Sequence, residues 1–196
     1  MKRWILPLLQ GLQRRLSDQR DMATYKAEFL AHYYEGRLRP RSAFAMGFIY
    51  QWARIASLMP GLANFITHTP PFSYFAKLAA GIAPRRDVLH FAPQTFKAWF
   101  QQRARPRRSA RRRVLLWPDT FTNHFDPEIA RAAVDVLDAA GFEPDVPSEP
   151  MCCGRPLYDF GFLDTARKLL EEILENLAPE IFIDRRYSAR ILNLMG

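Results

Sequence analysis

Arg113-Val-Leu-Leu-Trp-Pro-Asp119, then Asp126-Pro-Glu-Ile129, then Gly141-Phe-Glu-Pro-Asp-Val146 are the stretches that decide the fold. Val114 to Trp117 is a short apolar run that follows a charge cluster and stops at Pro118, which suits a buried parallel strand. Pro127 opens a helix as its first-turn proline, with Asp126 in the N-cap position. Ile129, Ala132, Ala133, Val136, Leu137 and Ala140 form the apolar stripe of that helix, and Gly141 ends it. Phe142 to Val146 reads as the next strand. A strand–helix–strand order implies a right-handed crossover and a parallel sheet. Beyond Cys152-Cys153-Gly154 a second helix carries Leu163, Ala166, Leu169, Leu170, Ile173, Leu174 and Leu177. Ile181-Phe-Ile183 offers a third strand. So small a parallel sheet keeps an open edge, because parallel sheets have both faces covered and more strands. The region 114–180 therefore reads as half of a doubly wound parallel α/β domain.

Working outward, residues 84–113 read as a linker. It holds Pro84, Pro93, Pro106 and seven arginines between Arg103 and Arg113, with one short helix expected from Thr95 to Gln102. Residues 17–83 read as a helical segment. Met22, Tyr25, Phe29 and Tyr33 recur at three- and four-residue spacing. Phe44, Phe48, Trp52, Ile55 and Leu58 form the stripe of a second helix, stopped by Met59-Pro60-Gly61. A shorter helix is expected from Phe72 to Ala80. Core packing between helices is the plain account of these aromatics. The other is a surface that docks on another domain, since a small helical unit cannot bury so many rings alone. The fold class expected is α/β: an N-terminal helical segment, a linker and half of a doubly wound parallel domain.

The chain has 196 residues, 48% of them apolar and 24% charged, so a packed core can be built and disorder is not the expectation. Its net charge of +8, from 28 Lys+Arg against 20 Asp+Glu, resides mainly in the arginine run, with the remainder close to neutral. A clustered run between two patterned segments is a solvated linker rather than a reading surface, so no nucleic-acid partner is expected. The start, Met1-Lys-Arg-Trp-Ile-Leu-Pro-Leu-Leu9, only faintly resembles a signal peptide, because Pro7 interrupts a short apolar run and no small-residue cleavage site follows. No stretch reaches the roughly 20 apolar residues of a membrane span. The expected location is cytoplasmic, with membrane association only through partners. The two cysteines are neighbours, and their Cα atoms are about 3.8 Å apart, too close for an unstrained disulfide. Reduced thiols are expected.

Candidate chemistry centres on Cys152, Cys153 and Gly154. Placed where a strand hands over to a helix, the thiols would have lowered pKa values beside backbone amides. Gly154 permits close approach of a ligand. Two buried structural cysteines are the plain alternative. Zinc is disfavoured, because its ligands come as spaced pairs with four donors in all, and only His124 is a plausible nearby donor. A conventional iron–sulfur cluster wants four cysteines. Asp119, Asn123 and His124 would lie at the same sheet end. Asp119 or Asn123 could simply cap local amides, with His124 solvated, or Asp119 and His124 could face the cluster or substrate. No glycine-rich phosphate loop, catalytic triad signature or His-Glu-x-x-His is present.

Val114-Leu-Leu-Trp-Pro-Asp-Thr-Phe-Thr-Asn-His-Phe125 and Pro150-Met-Cys-Cys-Gly-Arg-Pro-Leu-Tyr-Asp-Phe-Gly161 resemble the first cysteine-rich repeat of flavin- and iron–sulfur-dependent oxidoreductases of the glycolate oxidase and D-lactate dehydrogenase-like type. The repeat is named for its Cys-Cys-Gly motif and is shared with heterodisulfide reductase subunits. Asp21-Met-Ala-Thr-Tyr-Lys-Ala-Glu-Phe-Leu30 and His32-Tyr-Tyr-Glu-Gly-Arg-Leu-Arg-Pro40 resemble the stretch after the last cluster cysteine of a ferredoxin-like domain in that family. The resemblance covers roughly residues 21–178. It implies electron transfer during 2-hydroxy acid oxidation, with Cys152 and Cys153 on an iron–sulfur (4Fe-4S) cluster or in thiol redox chemistry. Asp119 and His124 would stand behind them. FAD would belong to a separate domain or chain, and the expected partners are flavin-containing and second-repeat domains or subunits. Ser17-Asp-Gln-Arg20 stands where a cluster cysteine segment is expected, and the second repeat is missing after about residue 180. The chain thus reads as an internal fragment of a larger oxidoreductase, not catalytic alone. A non-catalytic interaction module and a non-functional fragment are the alternatives.

Overall fold

The computed structural model describes residues 22–103, 112–182 and 192–193. The arginine run from 104 to 111, residues 17–21 and Ile183 lie outside the described residues. The helical part comprises α1 (Met22–Tyr33), α2 (Arg41–Gly47), α3 (Ile49–Ala56), α4 (Pro60–His68) and α5 (Phe72–Ala80). Then come α6 (Phe96–Gln102), β1 (Arg112–Trp117), α7 (Thr120–His124), α8 (Pro127–Ala139), β2 (Phe142–Asp145), α9 (Arg155–Asp159), α10 (Leu163–Phe182) and β3 (Leu192–Asn193).

The strands run parallel in the order β2-β1-β3, with Val114 opposite Pro144 and Leu116 opposite Leu192. Side chains alternate across β1, so its apolar run is buried on both faces. Leu116 joins Phe96 and Phe100 of α6 and Ala130 and Val134 of α8. Leu115 and Trp117 turn the other way, onto Met151 and onto Ile173 and Leu177 of α10. This is a partial α/β layer with a helix on each face. The cap signals hold in position: Pro127 is at the start of α8 beside Asp126, although the Asp126 side chain makes no capping bond. Thr95 caps α6 with its hydroxyl oxygen 3.2 Å from the Ala98 amide.

Three expectations are corrected. The stripe from Phe44 to Leu58 is not one helix: it breaks at Phe48, whose φ and ψ are −95° and 25°. Gly47 sits so close to Phe162 that a Cβ there would be 3.3 Å from its ring, and the break lets Phe44 and Phe48 flank that ring at 5.6 and 5.1 Å. Ile181 and Phe182 end α10 instead of forming a strand, and the third strand is β3. The aromatic helical zone does not bury its rings. Tyr25, Phe29, Trp52, Phe65, Phe72 and Phe75 are all exposed, and α4 and α5 contain no buried residue. The stripes of α8 and α10 are likewise split: Ile129, Val136, Leu170 and Leu174 face solvent while their neighbours are buried.

The helical segment nonetheless docks firmly on the α/β part. Arg39 donates to the carbonyl oxygens of Phe160 at 3.1 Å and Gly161 at 3.0 Å, and its guanidinium lies over the Phe162 ring. Tyr158 donates to Thr24 of α1 at 2.8 Å. Gly161 has a φ of 73° and touches the backbone of Leu30 and Ala31. The two motif stretches that are about 120 residues apart in the chain therefore form one contact.

Candidate functional site

The cysteine pair does not sit directly at a strand's end. β2 stops at Asp145, and the irregular segment after it packs Met151 against Leu115 and Trp117 of β1 and leads through Cys152 and Cys153 to Gly154, the N-cap of α9. Lys97 of α6 fastens this segment by donating to the Glu149 carbonyl oxygen at 2.5 Å. Gly154 adopts a left-handed φ of 73°, and a Cβ there would be 3.1 Å from the Ala166 carbonyl oxygen of α10. The close approach it permits is thus to the protein's own helix, with α10 as the backstop of the cysteine loop.

Cys152 is buried among Leu157, Ala166 and Leu169, with Tyr50 and Phe48 of the helical segment against the same cluster. Cys153 is half-buried and packs toward Trp117 and Met151. The two thiols behave oppositely. A hydrogen bond from Cys153 draws the Cys152 thiol below the ordinary thiol range. Burial works against that shift, the Thr120 hydroxyl and the Gly154 amide reinforce it, and the Asp119 carboxylate opposes it. Cys153 is pushed up, first because it is the donor to Cys152 and then by burial, against the Arg155 amide 3.5 Å from its sulfur. The pair therefore gives up its first proton readily and its second reluctantly. Burial also raises the Tyr50 hydroxyl, and the neighbouring Cys152 adds to the rise.

Both sulfurs open on a cavity of about 1430 Å³. Its walls are mostly apolar, from Phe44, Ile49, Trp52, Val88, Phe91 and Phe121, with Arg41, Arg86, Asp87, Asp119, Arg155 and Asp159 as the charged exceptions. Asp119 takes the capping role considered for it. It caps α7, its Oδ1 accepting from the Thr122 amide at 2.6 Å, and it lines the cavity beside the thiols.

His124 is not solvated; it is buried, and so are Thr120, Thr122 and Asn123. The Asn123 Oδ1 accepts from the Lys97 amide at 3.0 Å, which orients its Nδ2 to donate to the His124 Nε2, also at 3.0 Å. The proton on the neutral ring is then on Nδ1, 2.7 Å from the Ser57 hydroxyl. Burial, with Arg54 and Lys97 nearby, pushes the His124 pKa down to about 4. Both ring nitrogens are committed, so the one histidine that could have aided the thiols is removed as a metal donor. Its backbone carbonyl instead receives the Ala92 amide at 2.9 Å. Asn64 binds Phe91 through both amide atoms at 2.8 Å, so segment 88–92 is strapped between α4 and α7 as a cavity wall.

Thr120, Tyr50 and Arg155 are the site residues that sequence reasoning passed over. Thr120 stands next to Asp119 in the sequence, the one signal that could have pointed to it. Tyr50 and Arg155 give no sequence signal. Among the described residues no group of three or more His, Cys, Asp or Glu side chains could hold a metal ion. Two thiols supply half the donors of a four-cysteine cluster, so the described residues do not fit one unaided.

No family model and no solved structure matches the chain. Among curated proteins it is similar to the C-subunit of the anaerobic glycerol-3-phosphate dehydrogenase of Escherichia coli strain K12, 29% identical over an alignment 137 residues long that covers 59% of this chain and 35% of that protein. It is also similar to lactate utilization protein A of Bacillus subtilis, 27% identical over 71 residues, covering 36% of this chain and 30% of the relative. Lactate utilization protein A of Bacillus cytotoxicus matches with the same identity and coverage. The chain spans about a third of the length of these relatives. Neither of these two names is that of the glycolate oxidase or D-lactate dehydrogenase-like type; one is that of a glycerol-3-phosphate dehydrogenase subunit and the other is that of a lactate utilization protein.

Proposed function

We propose that the chain is an electron-transfer component of an oxidoreductase that acts on a small hydroxylated substrate, with Cys152 and Cys153 as its redox-active end. The observation that carries the reading is the pair itself: adjacent reduced thiols with opposed proton affinities, on the wall of a large, mostly apolar cavity. Relatives named for glycerol 3-phosphate and for lactate support an alcohol or hydroxy acid as the ultimate electron source. A 2-hydroxy acid of the glycolate or D-lactate type is the finer reading.

The division of labour follows from what the residues supply. Cys152 offers an anionic sulfur, Cys153 a thiol proton, and Gly154 with Ala166 sets the loop that presents both. Thr120 and Asp119 adjust the charge on that loop, and His124 fixes the strap that walls the cavity. An iron–sulfur cluster bound here takes its remaining ligands from a second repeat or a partner chain. The α/β part is then one half of a doubly wound pair. FAD belongs to a further domain or subunit, since no Gly-x-Gly-x-x-Gly follows a strand here. The complex works at the cytoplasmic side, and reaches a membrane through its partners.

Anaerobic co-expression with the flavin-containing and second-repeat chains, followed by iron and sulfide analysis, tests this. Iron should appear in the complex, fall to background with Cys152→Ser, and be missing from the chain purified alone. Stoichiometric iron in the lone chain, or in the Cys152→Ser complex, would refute the assignment of the pair.

A further inference from the structure

Cys152 and Cys153 are free thiols on consecutive residues, and their sulfurs are in hydrogen-bond contact. Both residues line the large cavity. The pair is held in place from outside. The Thr120 hydroxyl and the Gly154 amide reach Cys152, and the Arg155 amide lies 3.5 Å from the Cys153 sulfur. Gly154 itself rests against α10, where a Cβ would be 3.1 Å from the Ala166 carbonyl oxygen. Two sulfurs held in contact form a ready chelate, so little ordering remains to be done when a guest binds.

Donor count and cavity wall together select the guest. Among the described residues no third His, Cys, Asp or Glu joins the pair in a group that could hold a metal ion. A four-coordinate zinc ion is left short of ligands. A soft centre that needs only two sulfurs from the protein fits the count. Its remaining bond must then end in something the wall accepts, and Phe44, Ile49, Trp52 and Phe121 offer hydrocarbon and rings. Trivalent arsenic with one organic substituent meets both conditions. It makes three bonds at angles near a right angle, so two can go to neighbouring sulfurs in contact while the third carries an apolar group. A two-coordinate cation such as copper(I) prefers its sulfurs on opposite sides, an arrangement that sulfurs in contact do not give.

We propose that the Cys152–Cys153 pair is a binding site for monosubstituted trivalent arsenicals, with arsenic bridging the two sulfurs and an aryl or alkyl substituent seated against the apolar wall of the cavity. The exchange balances without an oxidant. On an arsonous acid, R–As(OH)2, the Cys152 sulfur attacks first: an As–S bond forms, an As–O bond breaks, and the hydroxide leaves as water with a proton from solvent. The Cys153 thiol attacks next, and its own proton leaves with the second hydroxide as water. Arsenic stays trivalent and neither sulfur is oxidised. The readily lost proton of Cys152 and the retained proton of Cys153 suit that order. Loading occupies both sulfurs, so it blocks whatever chemistry the pair performs. The site itself does not depend on the assignment of the pair to electron transfer.

Titration of the full chain with phenylarsonous acid tests it, under nitrogen and after reduction with a phosphine. Intact-mass analysis should show one phenylarsenic group per chain, and both thiols should vanish together from the free-thiol count. The adduct should survive excess glutathione and be stripped by dimercaptopropanol, as a chelate is. Cys152→Ser and Cys153→Ser should each weaken binding about a hundredfold, because one sulfur alone cannot close the ring. Phenylarsonous acid should bind more tightly than methylarsonous acid, by about tenfold beyond the ratio the two show for free dimercaptopropanol, the excess coming from burial of the ring. No adduct, two arsenicals per chain, loss of only one thiol, or removal by glutathione overturns the proposal, as does undiminished binding by either serine variant. All but the last are read on the wild-type chain, so they decide the matter where a serine variant fails to fold. A phenyl-to-methyl ratio equal to that of dimercaptopropanol overturns the seating of the substituent in the cavity. Iron content of the complex is a separate readout, so failure here leaves the redox assignment to its own test.

Discussion

Gly161→Ala should separate the cysteine motif from α1 at a cost that can be worked out from two terms. The first is conformational. Gly161 has a φ of 73°, and holding an L-residue there costs roughly 1–2 kcal/mol. The second is steric. An alanine Cβ would lie 2.6 Å from the Ala31 nitrogen and 2.8 Å from the Leu30 carbonyl carbon, both backbone atoms that no rotamer change can move. Displacing packed backbone in this way costs roughly 1–3 kcal/mol. The sum is about 2–5 kcal/mol, or a fall in Tm on the order of 5–20 °C for a chain of this size. Gly141→Ala is the internal control. Its φ of 83° carries the same conformational strain, but nothing lies within 4 Å of the added Cβ, so only the first term of roughly 1–2 kcal/mol applies. Urea unfolding of wild type and both variants measures the difference directly. Gly161→Ala should be the less stable by about 1–3 kcal/mol, and its Cys152 should become more accessible to alkylation as α1 lifts away. Equal losses in the two variants would refute the reasoning, because they would mean that α1 does not rest on the Gly161 turn.

Alkylation of the wild-type chain should show one thiol ionising below the ordinary thiol pKa of about 8.5. Cys153→Ala or Thr120→Val should move that midpoint up, since each removes a donor to the Cys152 sulfur. A midpoint that stays put in both variants would deny the hydrogen bonds their role. His124 makes acid destabilising. Its folded pKa of about 4 lies below the unfolded value near 6.5, so its contribution is intact above pH 6.5 and is lost as pH falls toward 4. By pH 5 the loss is about 2 kcal/mol, and His124→Gln should flatten the stability–pH curve in that window while lowering stability at pH 7. Flavin-fluorescence titration of the isolated chain should show no tight FAD binding, and tight binding would undo the assignment of flavin to another domain or chain.

What was legible in the sequence is what obeys local rules. Val114 to Trp117 announces β1 because a strand covered on both faces needs no alternation, and Pro118 ends it. Pro127 and Gly141 bracket α8 because the first needs no amide partner and the second can take a positive φ. Thr95 marks α6 for the same kind of reason. The break at Phe48 was not legible, because its cause, the Phe162 ring pressing on Gly47, is 115 residues away in the chain. The burial of His124 was hidden in the same way: its partners, Ser57 and Ala92, come from two other parts of the chain. The cysteine pair was found by its composition, yet its electrostatics depend on Thr120 and on which thiol donates to the other.

The contact between Arg39 and the Phe160–Gly161 turn changes what the helical segment is for. A guanidinium that satisfies two carbonyl oxygens while lying over Phe162 holds the end of α9 in place, and hydrogen bonds from a charged donor contribute roughly 1.5–3 kcal/mol each when both partners stay put. α9 begins at Gly154, so whatever holds its far end also holds the cysteine loop. Tyr50 and Phe48, from the same segment, pack against the buried cluster that holds Cys152. The helical part is therefore the outer wall of the thiol site, and α10 is its inner wall, through Ala166. It follows that Arg39→Ala should act on Cys152 chemistry as well as on stability. The variant should raise the alkylation rate at fixed pH, through exposure, without moving the ionisation midpoint, because none of the groups that set that midpoint involves Arg39. A shifted midpoint with an unchanged limiting rate would show that Arg39 works electrostatically, and the wall would have to be sought elsewhere.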